Sequence, residues 1–156
     1  MSLGVRANIE DFLSYRRLAM VGVSRDSKDF SRALYRELRS RGYEMVPVNP
    51  QAEEVEGDRC YAHVSDIEQT VDGVFVLTPP SACDSVVKDC AKAGVPRVWM
   101  YRGAGAGCST DTAIRFCREH GIKVVPGECP FMFLSGGSWI HGAHRFCRKL
   151  VGKFPE

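Results

Sequence analysis

No apolar run in this 156-residue chain approaches the roughly 18 residues that would cross a membrane, and no charged-then-apolar leader opens it. Membrane-spanning and secretory readings are set aside, and a cytoplasmic location is expected. Charge of one sign is missing too: 21 basic against 19 acidic residues leave a formal net charge of +2, too balanced for a dedicated nucleic-acid binder. The seven cysteines (Cys60, Cys83, Cys90, Cys108, Cys117, Cys129 and Cys147) are odd in number, scattered and without a CxxC pair, which predicts reduced thiols rather than a disulfide framework. Internal repeats, low-complexity tracts and linkers are also absent, so one domain over 1–156 is expected. A composition of 44% hydrophobic and 26% charged residues suits a globular chain that needs neither disulfide nor metal to fold.

What is present is an alternation of short apolar runs and helical patterns. Leu18–Val23 is continuously apolar and stops at Ser24, as a strand buried on both faces does. Ser31 can cap a helix carrying Leu34, Tyr35 and Leu38, with Gly42 as its stop. Tyr43–Val48 forms the second strand, where Pro47 suggests an edge position or irregular pairing near its end. A polar stretch through Gly57 leads to a short helix over Ser65–Gln69. Asp72–Leu77 is the third strand, and Ser81 opens a helix with Val86, Val87, Cys90 and Ala91 on one face, ending at Gly94. Arg97–Tyr101 is the fourth strand, followed by a loop over Gly103–Gly107. Ser109 or Thr110 caps a helix with Ala113, Ile114, Phe116 and Cys117, and Ile122–Pro126 is the fifth strand. Ser138–Val151 reads as a C-terminal helical extension beyond a core of about 18–131.

Repeated βαβ units with right-handed crossovers predict a doubly wound, Rossmann-like α/β fold: a five-stranded parallel sheet with helices on both faces. The expected strand order is 3-2-1-4-5, with a ligand crevice beyond the carboxyl ends of the strands, beside Gly22–Arg25.

Gly22-Val23-Ser24-Arg25 stands where a phosphate loop would, since glycine lets backbone N–H groups approach a phosphate at a helix N-terminus. The GxGxxG pattern is broken by Ser24 and Ser27, leaving hydroxyls and the Arg25 guanidinium as further donors; a plain strand-to-helix turn is the alternative. At the end of strand two stands Asn49 rather than the acid that would accept from a nicotinamide dinucleotide's ribose. An acid there would repel a phosphorylated ribose, so asparagine favours coenzyme A over NAD. Thr78-Pro79-Pro80 makes a rigid apolar shelf beside a hydroxyl, suited to an adenine face or a pantetheine arm, or a mere helix start. Cys60-x-x-His63, Cys117-x-x-His120 and His144-x-x-Cys147 have the spacing of close zinc-ligand pairs but fall in separate segments, so no metal site is expected. His141, Arg145, Arg148 and Lys149 give a basic helix face, and Phe131, Trp139 and Ile140 an apolar strip that would support a homodimer or a partner subunit. Neither a nucleophile paired with a base nor a GxSxG elbow is found, so no catalytic residue is assigned.

Taken together, Val21–Arg25, the segment Gly42–Pro50, Thr78-Pro79-Pro80 and Cys129-Pro130 resemble the small stand-alone CoA-binding protein family. That family is similar to the N-terminal CoA-binding domain of the succinyl-CoA synthetase alpha subunit. The resemblance covers about 18–131. It implies a cofactor site lined by Gly22, Val23, Ser24 and Arg25, by Pro47 and Asn49, by Thr78, Pro79 and Pro80, and by Met100. The Trp99-Met100-Tyr101-Arg102 turn departs from the family's usual glutamine-bearing turn, and the ending after Phe131 departs from its short one. Cys129, just past strand five, is either a buried thiol packed by Pro130 or a partner for a pantetheine thiol. The resemblance implies non-catalytic binding of coenzyme A or an acyl-CoA; an NAD(H)-dependent sensor or oxidoreductase-like domain is the alternative, and an interaction domain with a vestigial site a third.

Overall fold

The computed structural model describes residues 3–102 and 107–134. The expected helix over Ser138–Val151, with its basic face, and most of the glycine-alanine loop after strand four lie outside these residues. The elements, in chain order, are α1 (Leu3–Ser14), β1 (Arg17–Val21), α2 (Phe30–Ser40), β2 (Glu44–Val48), a small hairpin of β3 (Glu54–Val55) and β4 (Asp58–Arg59), β5 (Gly73–Val76), α3 (Pro80–Lys92), β6 (Arg97–Met100), α4 (Asp111–Glu119) and β7 (Lys123–Pro126). Short 3₁₀ turns cover Val64–Asp66 and Pro130–Met132.

All five long strands pair in parallel. Their alternation sends side chains to two separate cores. Leu18, Met20, Phe75 and Trp99 face α1 and α2, while Ala19, Val21, Val74, Val76, Val98 and Met100 face α3 and α4. A strand buried on both faces has no polar side to show, which is why each reads as an unbroken apolar run.

The doubly wound architecture stands, but the strand order is corrected. The sheet runs β2-β1-β5-β6-β7, or 2-1-3-4-5 among its strands, rather than 3-2-1-4-5. The cause is Pro47. Its carbonyl accepts from Tyr61 N (3.0 Å) on the side away from β1, so the position where its N–H would stand also faces outward. A third strand docking on that edge would find no donor at Pro47, and β5 pairs with the other side of β1 instead. Among the described residues, Tyr61 bridges the outer edge of β2 at Val48.

Two elements have no counterpart in the sequence reading. Helix α1 lies under the sheet, burying Ile9 and Phe12. The Phe12 ring packs edge-on against Phe75 (4.7 Å) and Trp99 (5.4 Å). Gly73 is the position in β5 that makes room for it, since a Cβ there would stand 2.7 Å from Phe12 Cε2. Arg97 Nε donates to Asp11 Oδ2 (2.6 Å) and Asn8 Nδ2 to Val124 O (3.1 Å), tying α1 to β6 and β7. The β3–β4 hairpin lies within the polar stretch, and Glu56 in its turn pairs with Arg32 and Arg36 of α2.

The cysteines also differ from expectation. Cys83 in α3 and Cys108 are joined in a disulfide, with Cα atoms 5.2 Å apart, a separation such bonds span readily. Cys60, Cys90 and Cys117 are free and buried, and Cys129 is buried too. Burial pushes the Cys117 thiol up to about 11 and that of Cys90 higher still. Phe131, expected on an exposed apolar strip, is only 2% exposed; Trp139 and Ile140 lie outside the described residues.

Candidate functional site

The sheet order reverses between β1 and β5. The chain leaves β1 through α2 on one face and leaves β5 through α3 on the other, so the connections diverge and a crevice opens beyond the carboxyl ends of these strands. Gly22 sits at its base with φ +89°. A Cβ there would stand 3.0 Å from both C and O of Leu77 and 3.2 Å from Thr78 Cγ2, so only glycine lets the two loops approach this closely. Gly22 N donates to Val48 O (3.0 Å) and Leu77 N to Val21 O (2.9 Å), extending the sheet by one step on each side.

A cavity of about 740 Å³ opens from this point along the α3 side. Its floor is Val21, Gly22 and Val48; one wall is Asn49–Gln51 and Ala62–Ser65; the other is Thr78, Pro79 and the α3 stripe Ala82, Ser85, Val86, Asp89 and Lys92. That stripe has helical spacing and lies beside the buried face that carries Cys83, Val87 and Cys90. Asp89 fastens the two walls together: its Oδ2 accepts from Val64 N (2.7 Å) and Ser65 N (3.4 Å).

On the opposite side of the crevice, aromatic rings pack together among the described residues. Phe30 opens α2, and its ring stacks on Tyr101 (4.8 Å, 11°) while meeting Phe131 edge-on (5.2 Å). The start of α2 is also occupied. Asp29, rather than Ser31, is its N-cap and accepts from Ser31 N (2.8 Å) and Ser31 Oγ (2.5 Å). Ser31 Oγ in turn accepts from Ser24 N (2.8 Å), Ser24 Oγ from Asp26 N (3.0 Å), and Asp26 Oδ1 from Lys28 N (2.9 Å). The Ser24, Asp26, Lys28 and Ser31 amides are therefore committed to the chain's own hydroxyls and carboxylates. Arg32 Nη1 donates to Ser24 O and Arg25 O, both at 3.2 Å, holding the loop from outside.

Of the residues expected at the site, Gly22, Asn49, Thr78 and Pro79 line the cavity. Asn49 has a bracing role there: Nδ2 donates to Val23 O and Oδ1 accepts from Gln51 N, both at 2.8 Å. Asparagine suits this post because an aspartate would lack the donor. Thr78 Oγ1 is buried without a hydrogen-bond partner among the described residues. Pro79 is the N-cap of α3 and Pro80 its first residue, with no side chain capping that helix start. Val23 and Met100 are wholly buried in the cores, Pro47 is buried in β2, and Ser24, Arg25 and Pro80 stand away from the cavity lining. Arg25 is exposed and makes no ion pair among the described residues. Cys129 packs in the core under α1 and α2, on the other face of the sheet from the cavity. His63, Ser65, Ser85, Asp89 and Lys92 were not expected; for the last three the signal available was the helical-spacing stripe Ala82, Ser85, Val86, Asp89 and Lys92 on α3.

Comparison with known proteins bears on this arrangement. The sequence profile of the family described as "CoA binding domain" matches residues 16–135. An uncharacterized protein, YneT, of Bacillus subtilis is 26% identical over 125 residues, covering 80% of this chain and 90% of YneT. An ADP-forming acetate–CoA ligase of Methanocaldococcus jannaschii is 28% identical over 85 residues, covering 54% of this chain but 12% of that enzyme. The chain thus spans a small fraction of the ligases it matches. A hypothetical protein from Pyrococcus horikoshii OT3 has a similar structure, with a TM-score of 0.74 and 26% identity over 83% of this chain and 91% of that one.

Proposed function

Since the chain belongs to the CoA-binding domain family, we propose that it binds coenzyme A or an acyl-CoA non-catalytically, with the nucleotide half in the cavity between Asn49–Gln51, Ala62–Ser65 and α3. The observation that carries this reading is the cavity at the reversal point of the sheet, where doubly wound folds take their ligands. Its shape supports a flat base: Val48, Val64 and Val86 give apolar walls and Pro79 a rigid edge. Thr78 Oγ1, buried and unpartnered, supports it too, because a ligand donor or acceptor would satisfy that atom.

Binding without turnover is favoured by the state of Asp89. It is the carboxylate of the cavity lining, and its hydrogen bonds to Val64 N and Ser65 N leave it positioned as a clamp, not as an orienting partner for the His63 imidazole. The acetate–CoA ligase activity of the larger relatives belongs to chains several times longer, and its transfer to this chain finds no support in the cavity.

Thermal unfolding of the protein with CoA, acetyl-CoA, NAD, NADH or ATP at matched concentrations tests the proposal. A ligand at a hundredfold excess over its dissociation constant stabilises the folded state by about 2.7 kcal/mol. The expected result is an upward shift with the CoA species. A shift confined to NAD and NADH refutes the proposal in favour of the dinucleotide alternative, and no shift with any of the five leaves an interaction domain.

A further inference from the structure

Resting on the CoA reading, we infer that Lys92 is the residue that recognises the 3′-phosphate of the ligand's ribose and so sets the preference for CoA over dinucleotides and dephosphorylated forms. The cavity lining contains two groups able to carry positive charge, Lys92 and His63, and one acid, Asp89. The acid is committed to two backbone amides, and Lys92 forms no ion pair among the described residues. An anionic group entering this cavity therefore finds its compensating ammonium at Lys92, with the Ser65 and Ser85 hydroxyls on the same lining.

Four neighbouring arginines are held elsewhere. Arg32 and Arg36 pair with Glu56, Arg39 with Asp58, and Arg59 with Glu68. Arg25 stands outside the lining. The α2 start, which receives the phosphates in a glycine-rich dinucleotide site, carries the Asp29 carboxylate and repels a second anion. In doubly wound folds the end of strand two meets the ribose. Here that end is Asn49, on the wall facing α3. Asn49 and Lys92 line the same cavity, and in this reading the phosphorylated edge of a ribose beside Asn49 is set toward the α3 wall that ends at Lys92.

A helix-terminal lysine also complements the helix dipole, so a loss of stability alone would not distinguish the two roles. Ligand discrimination does. Affinities for CoA and for 3′-dephospho-CoA are to be measured by calorimetry with the wild type, Lys92→Gln and Lys92→Arg. Lys92 is exposed at the end of α3, so neither substitution disturbs a core. The wild type is expected to prefer CoA by about tenfold, within the range of a charge-assisted hydrogen bond. Lys92→Gln should bring CoA down to the affinity of dephospho-CoA and leave dephospho-CoA unchanged, and Lys92→Arg should restore the preference. Equal weakening of both ligands in Lys92→Gln, or a preference removed by Arg25→Gln instead, overturns the inference while leaving the CoA reading intact. A wild type that binds neither ligand overturns that reading first.

Discussion

Replacing Gly22 by alanine tests the close approach of the two loops that open the crevice, and Gly42 supplies the control. The two glycines have nearly the same backbone conformation, φ +89° and +88°. Alanine at either position meets the same left-handed strain, about 1–2 kcal/mol. What differs is the surroundings: a Cβ at Gly42 meets nothing within 4 Å, whereas one at Gly22 stands 3.0 Å from the Leu77 carbonyl and 3.2 Å from Thr78 Cγ2. Those neighbours are mainly backbone of the loop that leads into α3, so they yield only by moving the cavity wall. Forcing a methyl into a packed site costs about 1–3 kcal/mol. Gly22→Ala is thus expected to be less stable than Gly42→Ala by about 2 kcal/mol, or roughly 4–8 °C in Tm for a chain of this size. Paired thermal melts read this difference, and calorimetry with CoA should show affinity lost in Gly22→Ala and kept in Gly42→Ala. Equal Tm values for the two variants would refute the claim that the loops after β1 and β5 are in contact at the crevice.

Three further outcomes are expected. The Cys83–Cys108 disulfide spans a sequence separation of 25 residues, so its reduction, or the Cys83→Ala/Cys108→Ala variant, should lower stability by about 3 kcal/mol in melts with and without a dithiol reductant. Melts unchanged by reductant would count against it. Phe12→Ala should destabilise the fold by about 3–5 kcal/mol in denaturant titration, because Phe12 is 1% exposed against Phe75 and Trp99; a loss under 1 kcal/mol would mean that α1 is not part of the core. Acid should destabilise through two carboxylates. The hydrogen bond from Arg97, with Lys123 beside it, holds Asp11 below its ordinary value; burial opposes ionisation of Glu56, but Arg36 and Arg32 outweigh it. Groups with lowered folded values contribute stability that is complete above about pH 4–5 and is lost as pH falls through the lowered values. Asp11→Asn and Glu56→Gln should therefore flatten the fall in Tm below pH 4, and a fall as steep as in the wild type would refute their part in it.

Much of the fold was legible in local patterning. Five continuous apolar runs separated by helical periodicity imply buried parallel strands, because a strand covered on both faces needs no polar residue. The order of those strands was only partly legible: Pro47 is compatible with an edge strand or with irregular pairing, and only the tertiary pairing of β5 with β1 separates the two. Helix α1 escaped because only Ile9 and Phe12 among its described residues are fully buried, which leaves a weak periodic pattern. The cysteine pair escaped because spacing along the chain does not tell which thiols a loop and a helix bring together.

The candidate site divides in the same way. Gly22, Asn49, Thr78 and Pro79 were identifiable from the sequence because each stands at the carboxyl end of a strand, where the ligand crevice of this architecture must lie. Ser24 and Arg25 were expected to meet a phosphate, but whether an amide is open to a ligand depends on which side chains fold back onto it, here Ser31, Ser24 and Asp26. The far wall, with His63, Ser65, Asp89 and Lys92, exists only because the connection from β2 crosses over to pack on α3. By itself the sequence determined the strands, the two-faced core and the location of the crevice, since these follow from local periodicity and chain topology. Only the tertiary structure decided which residues wall the cavity and which charges line it, because both depend on contacts between segments far apart in the chain.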